Sequence, residues 1–417
     1  MTDLAAALAD ALDAELAAVD AELAAGYPGD PGTRQPVHTV YVPADRFDRG
    51  TVTAWGARAL EAFDAVVAGP ADLTAIWDVP GELRGRVRDK LAAEPIEDLR
   101  IDFEDGYGTR PDAEEDAEIV RAAEELTAAV ATGTAPPFTG IRFRSFEAAT
   151  RRRGVRTLVG FVRELCARGG IPAGFVVTLP KVTATAQVAA LVAVLEALEA
   201  EHGLPEGALR FEIQVETPQS VIGPDGASPL PGMIAAGAGR CTGLHYGTYD
   251  YSASLGIAAE YQSMEHPVAD HAKAVMQVAA AGTGVRLSDG STNVVPVGTP
   301  DAVRAAWQLH GRLVRRSLER GLYQGWDLHP AQLPSRFTAV YAFFRGSAES
   351  AAARLRAYRE QSESGFMDEP ATAVALAGFL LRGVDCGALG GEWVEKSTGA
   401  DLVELAVLAR RTIATPR

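Results

Sequence analysis

Carboxylates in this chain collect at the ends of apolar runs, where packing alone gives no reason to place them. The stretch Leu99-Arg-Ile-Asp-Phe-Glu-Asp-Gly-Tyr-Gly108 brings Asp102, Glu104 and Asp105 to the point where a strand should end. Strand alternation puts Asp102 and Glu104 on one face and Asp105 near the rim. Like charges so placed repel until a cation, a proton or hydrogen-bond donors relieve them. On its own such a run also reads as an acidic turn that solvates a loop, so its meaning depends on what the later strands bring beside it. The run Phe211-Glu-Ile-Gln-Val-Glu-Thr-Pro218 sets Gln214 and Glu216 on one face and is stopped by Pro218. The next apolar run ends His245-Tyr-Gly-Thr-Tyr-Asp250.

Glu216 and Asp250 therefore come from adjacent strands. Two carboxylates that leave positions open for water and substrate are how Mg²⁺, or Mn²⁺ in its place, is usually held. A cation there can chelate the carboxylate and carbonyl of a 2-oxo acid and polarise the carbonyl. Arg142 and Arg144, two residues apart, and Lys181 after Pro180 supply positive charge at neighbouring strand ends. Arg142 suits the remaining substrate oxygens or a developing enolate. The competing reading is a purely structural ion pair of Glu216 or Asp250 with Arg142, Arg144 or Lys181. The histidines are weaker candidates. His245 reads as packing, His266 and His271 as scaffold, and His329 divides between a structural hydrogen bond and a site role. Arg151-Arg-Arg153 with Arg156 reads as a solvated helix face, with binding of a phosphorylated or coenzyme A substrate as the alternative.

Placing these groups together requires alternating strands and helices. Strands are expected at Val37–Pro43, Leu99–Glu104, Gly140–Ser145, Phe175–Val182, Leu209–Glu216 and Gly243–Asp250, with weaker ones at Gly284–Ser291 and Trp326–Pro330. Helical stretches fall between most of them: Thr51–Val67, Ala113–Ala131, Phe146–Arg168, Thr183–His202, Val268–Ala281 and Pro300–Arg320. Eight such units predict a closed (β/α)8 barrel, the TIM barrel, with chemistry at the C-terminal ends of its strands. A doubly wound sheet is the alternative, but no strand leads into a glycine-rich nucleotide-binding turn. The expected organisation is an N-terminal amphipathic helix and linker (1–36), a barrel (37–345) with an insertion at about 68–97, and a C-terminal helical cap or lid (346–417). The lid would hinge at Gly365-Phe-Met-Asp-Glu-Pro370, over its own or a neighbouring subunit's site. The apolar stripe of the N-terminal helix, Leu4, Leu8, Leu12, Leu16, Val19 and Leu23, needs something to pack on.

With 417 residues, 47% of them hydrophobic, the chain can bury a sizeable core. Its formal charge of −16 argues against nucleic acid and anionic membranes as partners. Cys166, Cys241 and Cys386 are far apart and lack metal-binding or disulfide spacing. With an acidic N-terminus and no membrane-length apolar run, the expectation is a cytoplasmic protein.

Seven short motifs, in order, resemble the citrate lyase beta-subunit-like and HpcH/HpaI aldolase superfamily. They are Val40-Tyr-Val-Pro-Ala-Asp45, Asp102-Phe-Glu-Asp105, Ile141-Arg-Phe-Arg144, Leu179-Pro-Lys-Val182, Val215-Glu-Thr217, Gly247-Thr-Tyr-Asp250 and His329-Pro-Ala-Gln332. The match covers roughly residues 37–335. The resemblance implies a metal-dependent barrel that makes or breaks a carbon-carbon bond beside a carboxylate. By position, Glu216 and Asp250 would hold Mg²⁺, and Arg142 would contact substrate and enolate. Glu104 and Asp105 would orient metal-bound water or Arg142. Substrate contacts are expected from Arg142, Arg144, Lys181 and Gln214. Arg144 stands where one branch of the superfamily has Asn, and Ala44-Asp-Arg-Phe-Asp48 lacks the histidine base of the other, so the chain reads as a distinct branch whose substrate is not borrowed from a named member. The first expectation is a lyase of aldolase type acting on a small 2-oxo or 2-hydroxy acid through a metal-stabilised enolate. The second is a Claisen enzyme using acyl-CoA and glyoxylate, like malate synthase or malyl-CoA lyase. The third is a metabolite-binding barrel without catalysis. A homo-oligomer is expected in each case.

Overall fold

Eight short parallel strands, each separated from the next by helices on the outside, wrap around a polar axis. They are β1 (His38–Pro43), β2 (Asp98–Asp102), β3 (Phe138–Arg142), β4 (Phe175–Leu179), β5 (Arg210–Val215), β6 (Cys241–Tyr246), β7 (Arg286–Ser288) and β8 (Gly325–Asp327), the last two joined by the helix Pro300–Glu319. The computed structural model describes residues 2–361 and 369–411. Neighbours run in the order β7-β6-β5-β4-β3-β2-β1-β8. Between β7 and β8 the ladder is reduced to the bridge Ser288–Gln324 and two hydrogen bonds, Asp289 N to Gln324 O (2.8 Å) and Trp326 N to Gly290 O (3.1 Å). The barrel is thus nearly closed, as the alternating pattern predicted. Each expected strand is present, but the larger ones stop earlier than their apolar runs suggested. Glu104, Asp105, Arg144, Lys181 and Glu216 lie in the turns just past the strand ends.

Alternation divides each strand between two environments. Outward residues such as Leu99, Ile101, Ile141, Val177, Ile213 and Leu244 are fully buried under the helices. Inward residues are largely charged or polar. Arg100 makes a two-point contact with Glu212 (2.9 Å each) and also pairs with Asp98, while Thr178 donates to Glu212 at 2.7 Å. His245 Nε2 lies 2.9 Å from Glu212 and its Nδ1 accepts from Trp326 Nε1 at 3.2 Å, the packing role expected of it. A second buried network closes the seam: Asp327 of β8 is bonded by His38 of β1 (2.7 Å), by His310 (3.2 Å) and by Arg336 (3.0 Å).

The insertion forms two helices, Pro70–Trp77 and Leu83–Ala93, whose Leu73, Ile76, Leu83, Val87 and Leu91 join the main core. Trp77 packs at a tilt against Trp307, ring centroids 5.3 Å apart, and donates to its carbonyl at 3.1 Å. After β8 a single helix runs from Leu333 to Glu360. Gly346 does not break it, because apolar side chains on either side pack into two different cores. The helices Pro370–Asp385, Gly391–Thr398 and Leu402–Leu408 build the second, smaller core with its far half. They sit where the strands begin. Arg382 reaches Asp30 (3.2 Å) and Gln35 (3.3 Å) ahead of β1 and lies 4.7 Å over the ring of Tyr323 ahead of β8. Within the chain, these helices cap the barrel end opposite the carboxylates. Residues 365–368 of the expected hinge lie outside the described residues.

The N-terminal helix Thr2–Gly26 departs from expectation, because its apolar stripe packs on nothing among the described residues and stays 46–68% exposed. Since it buries so little, removing residues 2–24 is expected to leave the thermal midpoint within about 2 °C of the full chain by calorimetry. A larger drop would show that the stripe is covered in solution.

Candidate active site

The C-terminal ends of β2 to β6 bring five carboxylates around two cations. Arg142, the last residue of β3, is buried and held by Asp102, the last residue of β2, through a two-point contact of 2.7 Å on each side. Its Nη1 lies 3.3 Å from Glu104, and its guanidinium rests 4.8 Å over the ring of Tyr41. Burial opposes the charge, but Asp102 and Glu104 hold the guanidinium well above its ordinary value. Asp102 also accepts from the backbone N–H groups of Glu104 (3.0 Å) and Gly106 (2.9 Å). One carboxylate therefore orients both the arginine and the turn that carries Glu104 and Asp105.

Lys181 is the second cation. It follows β4 in a left-handed conformation (φ 52°), which costs a side-chain-bearing residue free energy and persists only where the surroundings hold it. Here they do. Its backbone N–H donates to Glu216 Oε1 at 2.8 Å, while its Nζ lies 2.5 Å from Glu104, 2.9 Å from Asp105 and 3.6 Å from Asp250. Burial works against its charge, but Glu104, Glu216 and Asp105 keep the ammonium above the ordinary lysine value. Burial likewise raises the carboxyl of Glu104 despite the pull of Arg142 and Lys181. Asp105 is more open; burial raises it, but Arg142 and Lys181 together hold it below the usual range.

Glu216, just past β5, is the most perturbed of the five. It is 1% exposed, and burial, helped by Asp250 and Glu104 and opposed by Lys181 and Arg142, pushes it up to about 8. Its position depends on Gly247: a Cβ there would meet Glu216 Cβ at 2.4 Å and Oε2 at 2.5 Å. Gly247→Ala is accordingly expected to displace Glu216 and weaken Mg²⁺ binding at least tenfold in titration calorimetry, with far-ultraviolet circular dichroism unchanged. Wild-type affinity in that variant would remove Glu216 from the cation site. Asp250 is not at a strand end as expected. It occupies the first turn of the helix Thr248–Ser254, with its side chain 44% exposed at the rim.

The donor set suits a hard divalent cation. Asp102, Glu104, Asp105, Glu216 and Asp250 outnumber Arg142 and Lys181, and burial pushes Glu216 among them up to about 8. Glu216 and Asp250 would hold such an ion, with water and substrate completing its shell. Among the described residues no three His, Cys, Asp or Glu side chains form a group that could hold a metal ion by themselves.

Other candidates fall outside this cluster. Arg144, expected to contact substrate, turns instead to the Gly108 carbonyl (2.5 Å) and to buried Glu115 (3.3 Å), a helix acid that also takes Arg153 (3.0 Å) and the Thr157 hydroxyl (2.7 Å). Gln214 is fully buried on the inward face between Glu212 and Glu216, and neither atom of its amide has a protein partner. His329 accepts from Ala331 N and caps the short turn that follows it. Arg153 and Arg156 are tied to Asp116 on the preceding helix, and Arg151 to the Phe146 carbonyl. The aromatic support from Tyr41 and the cradle at Gly247 were not foreseen. The side-by-side register of β1, β2 and β3 reveals the first, and the close approach of β5 and β6 the second.

A family model described as a domain of unknown function, DUF6986, matches residues 16–413. The chain belongs to the DUF6986 family. No curated protein matches this DUF6986 chain. Among solved structures it resembles Haloferax volcanii malate synthase in a lead(II) complex, at 16% identity over 89% of this chain and 98% of the other, with a TM-score of 0.51. It also resembles the citrate lyase beta subunit from M. tuberculosis complexed with oxaloacetate and magnesium, at 17% identity over 75% and 97%, with a TM-score of 0.41. At 16% identity the likeness to the malate synthase is one of fold. No helix among the described residues is long and apolar enough to cross a membrane.

Proposed function

We propose that this DUF6986 protein is a Mg²⁺-dependent carbon-carbon lyase of the aldolase type, acting on a small 2-oxo or 2-hydroxy acid. The observation that carries this reading is the uncompensated carboxylate cluster at the mouth of the barrel, centred on Glu216 at about 8. The citrate lyase and malate synthase folds, and the ordered motifs, support it as resemblances. When bound, Mg²⁺ (or Mn²⁺) would act as a Lewis acid toward the substrate's oxygens. The rest falls to the chain. Arg142, fixed by Asp102 and Tyr41, presents the one edge of its guanidinium that Asp102 leaves free toward the cluster, where it can bind a substrate carboxylate and balance negative charge that develops on an adjacent carbon. Lys181 supplies a second charge-assisted donor, and Glu104 fixes it in place. Gln214 offers a donor and an acceptor to a substrate oxygen deeper in the barrel.

The test is a thermal-shift screen of 2-oxo acids, 2-hydroxy acids and acyl-CoA esters with and without Mg²⁺, followed by assay of the stabilising ligands for carbon-carbon cleavage. Stabilisation by a 2-oxo acid only when Mg²⁺ is present, with cleavage products detected, supports the lyase. Thiol release from acyl-CoA and glyoxylate would assign a Claisen enzyme instead. Binding without turnover would leave a metabolite-binding barrel.

A further inference from the structure

The opposite end of the barrel holds a hollow of the reverse electrostatic character. A cavity of about 280 Å³ lies between the loop that precedes β1 (Gly29, Asp30, Pro31, Gln35), the start of β7 and the C-terminal helix Pro370–Asp385. Gly29, Gly282, Gly284 and Gly321 line it, so little side-chain bulk fills the space.

Three guanidinium groups converge here on two carboxylates. Arg411 is bound by Asp30 (3.3 Å) and Asp385 (3.0 Å). Arg382 shares Asp30 (3.2 Å), takes the Gln35 amide oxygen (3.3 Å) and lies over the ring of Tyr323. Arg286 is left with neutral oxygens. Its Nη1 donates to the Arg34 carbonyl at 2.6 Å, and its Nη2 to the carbonyl and, at 2.6 Å, the hydroxyl of Thr33. Among the described residues no carboxylate bonds it. After these bonds its Nε–H and one Nη1–H remain. Burial, together with Arg382 and Arg411 and against Asp30, pulls this guanidinium down to about 10, the signature of a positive charge short of a counter-ion. In a chain of net charge −16 such a local surplus of arginine is out of keeping with the rest of the molecule.

We propose that this hollow binds a small polyvalent oxyanion, a phosphate or a di- or tricarboxylate, between Arg286 and Arg382. Guanidinium groups donate charge-assisted hydrogen bonds to carboxylate and phosphate oxygens, and the cavity has room for an anion of that size. Arg286 belongs to the barrel and Arg382 to the C-terminal helices, so the anion would fasten one to the other. The site lies at the end of the barrel remote from Arg142 and Glu216, which makes it an effector site rather than a second substrate site.

The full chain should be titrated calorimetrically with inorganic phosphate and, separately, with citrate at constant ionic strength, in wild type, Arg286→Gln, Arg382→Gln and Arg142→Lys. One saturable site is expected, weakened about tenfold or more by either Arg286→Gln or Arg382→Gln and unchanged in Arg142→Lys. Preference between the two anions then names the class. Absence of saturable binding at millimolar anion, binding that persists in both Arg286→Gln and Arg382→Gln, or binding lost in Arg142→Lys would overturn the proposal. Should Arg286→Gln fail to fold, Arg382→Gln decides alone.

Discussion

In the metal-free protein, Glu216→Gln is expected to raise stability at alkaline pH by on the order of 4 kcal/mol while weakening Mg²⁺ binding a hundredfold or more. The carboxyl of Glu216 rises from an ordinary 4.5 to about 8 because it is buried beside Asp250 and Glu104. Between those two values the folded chain holds a proton that the unfolded chain has released. Stability from this group is therefore fully present below about 4.5 and is lost as pH rises through about 8. Glutamine mimics the protonated side chain and removes the loss. Urea unfolding of both proteins across that pH range, with chelator present, reads the effect directly. Parallel stability curves would show that Glu216 is not perturbed. The same shift requires that Mg²⁺ binding near neutral pH release close to one proton, which titration in buffers of different ionisation enthalpy measures.

Arg142→Ala should be the most damaging single change at the site. It leaves Asp102, which is 1% exposed, without its two-point partner, and breaking a buried pair from one side costs roughly 3–5 kcal/mol. Turnover of the substrate identified by the screen should fall by about a thousandfold, because the group proposed to balance developing charge is gone. Arg142→Lys separates the two effects. It restores a charge next to Asp102 and so most of the stability, but not the planar fork that engages Asp102 on one edge and leaves another toward the cluster. Unfolding curves and kcat/KM together check this. A lysine variant with near wild-type turnover would show that charge alone suffices and that the orientation imposed by Asp102 is irrelevant.

The barrel was legible because period-two and helical patterns alternate along the chain, and strand-end carboxylates follow from that pattern once the sheet is parallel. What periodicity does not reveal is where pairing stops. The apolar runs at 99–104 and 209–216 continue past the last ladder bonds at Asp102 and Val215, so residues expected at strand ends lie in turns. Asp250 went astray for the same reason, its run Gly247-Thr-Tyr-Asp turning into a helix. Arg144 shows another limit. Its partner Glu115 sits 29 residues earlier on a helix, and nothing local to either residue announces the pair. The N-terminal helix marks a third, since an amphipathic stripe signals a helix without supplying a surface for it within the same chain.

The seam at Asp327 bears on the order in which the protein can be made. β1 pairs with both β2 and β8, and His38 meets Asp327 across 289 residues of chain. A ribosome releases β1 long before its second neighbour exists. Throughout that interval one edge of β1 lacks backbone partners, and His38 lacks the carboxylate that hydrogen-bonds its ring. The nascent chain must therefore keep this edge from pairing elsewhere until residues beyond Arg336 have emerged, and the barrel as a whole can lock only at the end of translation.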